Sequence, residues 1–159
     1  MKKRILSLLL VLLMMVSLVP TAALAEGDIV AYKVTGGNIY FDKSEGTVTS
    51  CDPEVTEANI PSEIDGVKVT SIGYKAFAGC MGLMRVTIPD SVTSIGNYAF
   101  RGCTSLMNIT IPADVEYAGA NYFRGCTSLM SINVDESSKT LSSIDGVLFN
   151  KDRTKLLKY

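Results

Sequence analysis

Four cysteines are the residues best suited to chemistry in this 159-residue chain, and three of them, Cys80, Cys103 and Cys126, fall 23 residues apart. Thiols at fixed spacing can ligate a metal, pair as disulfides, or fill a core as small hydrophobes. The chain has no histidine. That removes Ser-His-Asp and Cys-His catalysis, imidazole proton transfer and histidine metal sites. Carboxylates remain for acid–base work, where a glycosidase needs a facing pair. Asp135 and Glu136 are adjacent, so on a strand they face opposite ways. Asp90 and Asp114 follow strand-like segments and read as solvated loop charges. No D-x-D-x-D loop, phosphate-binding G-x-x-x-x-G-K loop or G-x-S-x-G elbow occurs. The expectation is a non-enzyme without cofactor or metal.

The elements that would position the thiols repeat at the same step. Val69, Val92 and Val115 are 23 residues apart, as are Gly73, Gly96 and Gly119, and Phe77, Phe100 and Phe123. The step also links Leu83, Leu106 and Leu129, then Met84, Met107 and Met130, then Ile88, Ile111 and Val134. Self-similarity at this period marks a solenoid. Within one unit, "LMRVTIP" alternates: Val86 and Ile88 face one way, Arg85 and Thr87 the other, and Pro89 ends the strand. "VTSIG" is a second extended piece closed by a glycine. "YKAFAGC" predicts a short helical or 3-10 turn. One such coil cannot cover its apolar side, but stacked coils can. The methionine row reads as packing at the strand edge.

The template V-x-x-I-G-x-x-A-F-x-G-C-x-x-L-x-x-V-x-I-P resembles the BspA-like, or treponemal-type, class of leucine-rich repeats. The resemblance implies a leucine-rich-repeat solenoid of short parallel β-strands with a 23-residue period. It also implies a bacterial surface or secreted protein of the adhesion or host-interaction kind. The partner would be an extracellular protein or glycan. The outward strand positions Arg85, Thr87, Asn108, Thr110, Ser131 and Asn133 vary between otherwise similar coils. They are the expected ligand-binding residues, since solenoids present extended binding faces. The alternatives are a repeat module of a larger secreted enzyme, or a structural spacer.

The ends depart from the template. Lys2, Lys3 and Arg4 precede an apolar run from Ile5 to Val19, then Pro20 and an Ala23-Leu24-Ala25 cleavage motif. That is the layout of a signal peptide over residues 1–25. The leader holds three of the 15 basic residues and none of the 16 acidic ones, so the remainder carries a net charge of −4. With no basic block, nucleic acid and anionic membrane are poor partners. Residues 26–54 lack the repeat, and "NIYFD" and "GTVTSC" read as strands of a β-rich N-terminal cap. The solenoid then covers 55–159: a half repeat at 55–68, repeats at 69–91, 92–114 and 115–140, and a terminal hairpin unit at 141–159. "IDGV", at Ile64 and again at Ile144, is a hairpin signal. The sequence stops inside a hairpin without a polar capping repeat, so residues 26–159 alone are expected to be poorly soluble.

Stacked about 4.8 Å apart, the three in-register cysteines lie within bridging distance. Parallel side-chain directions and the odd number argue for a buried thiol ladder beneath the phenylalanines. A row is also a poor tetrahedral metal site. Cys51, outside the register, can approach Cys80 from the cap, and this is the disulfide pair to test. The third coil breaks the template: "VEYAGANYF" replaces "VTSIGNYAF", so Ala118 stands at the Ile95 position and Tyr122 at the Ala99 position. The expectation is that the Tyr122 ring fills the volume missing at Ala118.

Overall fold

Apolar alternation, Asp-Gly turns and the 23-residue step build a stack of coils with β-sheet at both ends. A computed structural model describes residues 28–116 and 121–158. The expected leader and Ala118 lie outside the described residues. The N-terminal region supplies three antiparallel strands, β1 (Ile29–Val34), β2 (Gly37–Asp42) and β3 (Thr47–Cys51). The sequence reading missed β1. There follow β4 (Glu57–Asn59), β5 (Glu63–Ile64), β6 (Val67–Lys68), β7 (Ser71–Ile72), β8 (Arg85–Thr87), β9 (Ser94–Ile95), β10 (Asn108–Ile111) and β11 (Ser131–Val134). The chain closes on β12 (Leu141–Ile144), β13 (Val147–Asn150) and β14 (Leu156–Lys158), an antiparallel meander.

The described strands of the coils stack into two ladders. The first is parallel, in the order β11-β10-β8-β4. The second runs β1-β2-β3-β7-β9, with β3, β7 and β9 parallel. The cap and the coils therefore share one sheet. Both "IDGV" copies are hairpins, β5–β6 and β12–β13. Their turn residues are left-handed, with φ of 50° and 78° at Asp65-Gly66, and 50° and 79° at Asp145-Gly146. Asp-Gly tolerates that geometry better than other pairs, which is why it marks both turns.

The core is one column per template position. Val86, Ile109 and Ile132 come from the strands, Val69, Val92 and Val115 from the corners, and Leu83 and Leu106 from the return; all are buried. Phe77, Phe100 and Phe123 stack at centroid distances of 5.3 and 5.7 Å with 13° between planes. Tyr122 is buried and meets Phe123 edge-on at 6.3 Å.

The helical or 3-10 turn expected at "YKAFAGC" is not formed; among the described residues there is no helix. The amides there divide their bonds between two directions. Ala76, Ala78 and Cys80 donate three residues back within the coil, to Gly73, Lys75 and Phe77. Lys75, Phe77 and Gly79 donate instead to Asn97, Ala99 and Arg101 of the next coil. Left-handed φ at Lys75 (58°) and Gly79 (80°) turns those amides outward. A helix would need every N–H inside its own segment, so stacking wins.

Candidate functional site

The outward residues of the first ladder form two straight files. Parallel pairing puts Glu57 beside Arg85, Arg85 beside Asn108, and Asn108 beside Ser131. The second file contains Asn59 beside Thr87, and Thr110 beside Asn133. Arg85, Thr87, Asn108, Thr110 and Asn133 are exposed, while Ser131 is half-buried. The turn at Gly146 covers it: the Ile132 N–H donates to the Gly146 carbonyl at 2.9 Å. Ser131 also donates to the Asn133 side-chain oxygen at 3.0 Å. All six sequence-derived positions thus lie on one face.

Two members of that face were missed. Glu57 and Asn59 stand on β4, in the half repeat "VTEANIP", and both are exposed. Aligning that half repeat with "MRVTIP" would have found them. Glu57 places an acidic residue at the strand position beside Arg85. At this end the Thr35 N–H donates to the Glu57 carbonyl at 3.2 Å. Cap and terminal hairpin thus bracket a polar face four strands wide, backed by buried Ala58, Val86, Ile109 and Ile132.

The cysteines resolve differently from one another. Cys51 and Cys80 form a disulfide. The expected ladder of three thiols is therefore corrected at Cys80, which the cap reaches from β3. Cys103 and Cys126 remain thiols, Cys103 buried and Cys126 only half-buried, so the buried ladder is corrected there too. Each donates to a phenylalanine carbonyl of the preceding coil, Cys103 to Phe77 at 3.1 Å and Cys126 to Phe100 at 2.9 Å. A cysteine here fills core volume and also pins one coil to the next. A hydrogen bond with the Cys126 thiol, then burial, pushes the Cys103 thiol far above its usual range. Such a group is a poor nucleophile.

The methionine row is also corrected. Met84, Met107 and Met130 are exposed at 44%, 41% and 69%. Leu83 and Leu106, one residue earlier, take the buried places, and Leu129 a half-buried one. The carboxylates considered for catalysis, Asp90, Asp114, Asp135 and Glu136, are all exposed. Asp135 accepts the Ser137 hydroxyl and the Ser137 N–H, which hold its carboxyl below the usual range. A general acid would need the opposite shift.

Stacked 23-residue coils with a parallel strand ladder define a leucine-rich-repeat solenoid. The model of the BspA type leucine rich repeat region matches residues 49–158 in six copies. The chain belongs to this family. No curated protein gives a significant match. Among solved structures, the pneumococcal vaccine antigen PcpA is 31% identical with a TM-score of 0.55, over 67% of this chain and 25% of that one. The T. pallidum leucine rich repeat protein TpLRR is 31% identical with a TM-score of 0.54, over 65% of this chain and 49% of that one. A leucine-rich repeat protein from Bacteroides ovatus is 30% identical with a TM-score of 0.51, over 70% of this chain and 29% of that one. The chain thus spans a quarter to a half of these relatives.

Proposed function

We propose that this chain is a secreted or cell-surface binding module that holds an extracellular protein or glycan on its first strand ladder, without catalysis. The observation that carries the reading is the pair of polar files. Eight side chains leave the backbone at strand spacing on a sheet whose other face is core, so the fold sets their spacing before any ligand arrives. Preorganisation of that kind lowers the cost of binding. The only charges among them are Glu57 and Arg85, at one end. The remaining six are neutral hydrogen-bonding groups, suited to hydroxyls and backbone amides. The basic, apolar, A-x-A-terminated leader supports export, and PcpA, described as a vaccine antigen, is a relative in keeping with a surface location.

The experiment has two parts. The full chain is expressed in a bacterium and its N-terminus sequenced from the outer fraction. Cleavage after Ala25 is the expected result, and retention in the cytoplasm overturns the localisation. The exported protein is then screened on arrays of extracellular proteins and glycans. Saturable binding that survives moderate salt supports the reading. Binding confined to nucleic acid, or none at all, contradicts it.

A further inference from the structure

The exposed methionines carry an inference independent of ligand binding by the ladder. Leu83 and Leu106 are buried beside them, so the thioethers are not needed for packing. The Met130 N–H donates to the Met107 carbonyl at 2.8 Å. Arg85 and Asn108, the residues after Met84 and Met107, are strand partners. The three side chains therefore leave consecutive rungs, about 4.8 Å apart. They line one open groove of about 500 Å³, together with the hydroxyl residues Ser105, Thr127 and Ser128.

Thioether sulfur is an uncharged, polarizable donor. It suits Cu(I) and its close analogue Ag(I), and it competes poorly for calcium, magnesium or zinc. No carboxylate lines this groove, and no group of three or more His, Cys, Asp or Glu among the described residues is placed to hold a metal. A hard ion would find only neutral hydroxyls there, without the carboxylates it needs. Methionine has three rotatable side-chain bonds. Met84 and Met130 can lean toward Met107 from either side, bringing three sulfurs around one ion. We propose that Met84, Met107 and Met130 form a site for a soft monovalent metal ion of the Cu(I)/Ag(I) class. Binding is simple coordination: no proton leaves and no electron moves.

The test titrates Ag(I) into the intact protein labelled with 13C at the methionine methyls. The methyls of Met84, Met107 and Met130 are expected to shift together and saturate at one equivalent. Met81, exposed at 65% but outside the groove, serves as the control and stays in place. Affinity is the same at pH 6 and pH 8, because thioethers carry no proton, whereas thiolate ligation would release protons and strengthen with pH. Zn(II) moves no methyl. Met107→Leu keeps the apolar volume of an exposed residue and weakens Ag(I) binding at least tenfold, while Met81→Leu leaves it unchanged. The proposal is overturned if the three methyls move no more than Met81. It also falls if Ag(I) uptake is proton-linked, which would assign the ion to Cys103 or Cys126, or if Met107→Leu binds as tightly as the parent.

Discussion

Phe100 sits between Phe77 and Phe123, with neighbours at 5.3 and 5.7 Å, and is fully buried. Truncating it to alanine removes the middle ring of the stacked phenylalanine column. A buried Phe→Ala change costs about 3–5 kcal/mol. Part of that cost is stacking, about 0.5–1.5 kcal/mol for each neighbour beyond area burial. Phe100→Leu keeps most of the apolar volume but loses both stacks, so it should cost about 1–3 kcal/mol. Urea denaturation followed by far-UV circular dichroism measures both variants. The cycle with Phe123→Leu isolates one stack and should show coupling of about 0.5–1.5 kcal/mol. A Phe100→Leu variant within about 0.5 kcal/mol of the parent, with no coupling, would refute the view that stacked rings hold the coils together.

Other outcomes follow from single contacts. A Cβ on Gly96 would lie 2.6 Å from the Tyr74 nitrogen, so Gly96→Ala should cost about 3 kcal/mol or more, whereas Gly66→Ala, with open space but φ of 78°, should cost about 1–2 kcal/mol; thermal melts compare them. The Cys51–Cys80 disulfide spans 29 residues and should contribute about 3.5 kcal/mol by the loop-entropy relation; unfolded, unreduced protein should show two reactive thiols and reduced protein four. Asp52 accepts bonds from the Tyr40 hydroxyl and from the Asn38 side chain and N–H, which hold its carboxyl below the ordinary 3.8. A lowered folded value gives stability that is complete above the unfolded value and lost as pH falls through the folded one. Tyr40, held above 10.0 chiefly by the same hydrogen bond, loses its share as pH rises through its folded value. Melting temperature against pH should therefore fall off at both ends, and Asp52→Asn should flatten the acid limb relative to the parent.

The coil architecture was legible because it repeats. Val69, Gly73, Phe77, Cys80 and Leu83 each return 23 residues later, and a stack requires like above like. The two "IDGV" hairpins were legible because Asp-Gly suits left-handed turns. The helical turn at "YKAFAGC" misled because local spacing of Ala76, Phe77 and Cys80 fits a helix. Only the neighbouring coil shows that alternate amides are committed elsewhere. β1 was invisible for a related reason: its burial alternates only between exposed and half-buried, so its residues carry little core signal. The polar files were readable from alternation in "RVT" and "NIT". Glu57 and Asn59 were missed because their coil is incomplete. The methionines were misassigned because an apolar residue beside a strand is ordinarily packed, and here Leu83 and Leu106 had already filled the interior.

The most direct test of the binding face introduces a charge into it. Thr110→Glu sits on an exposed position of the central strand β10, flanked by buried Ile109 and Ile111. Thr93→Glu places the same charge on an exposed position of the second ladder's side. Both variants should melt within a few degrees of the parent, since neither residue is in the core. Affinity for the array-identified ligand is then measured by surface-immobilised titration. The first ladder as binding face predicts at least a tenfold loss for Thr110→Glu and no change for Thr93→Glu. Equal affinity for Thr110→Glu and the parent, or a loss confined to Thr93→Glu, would contradict it.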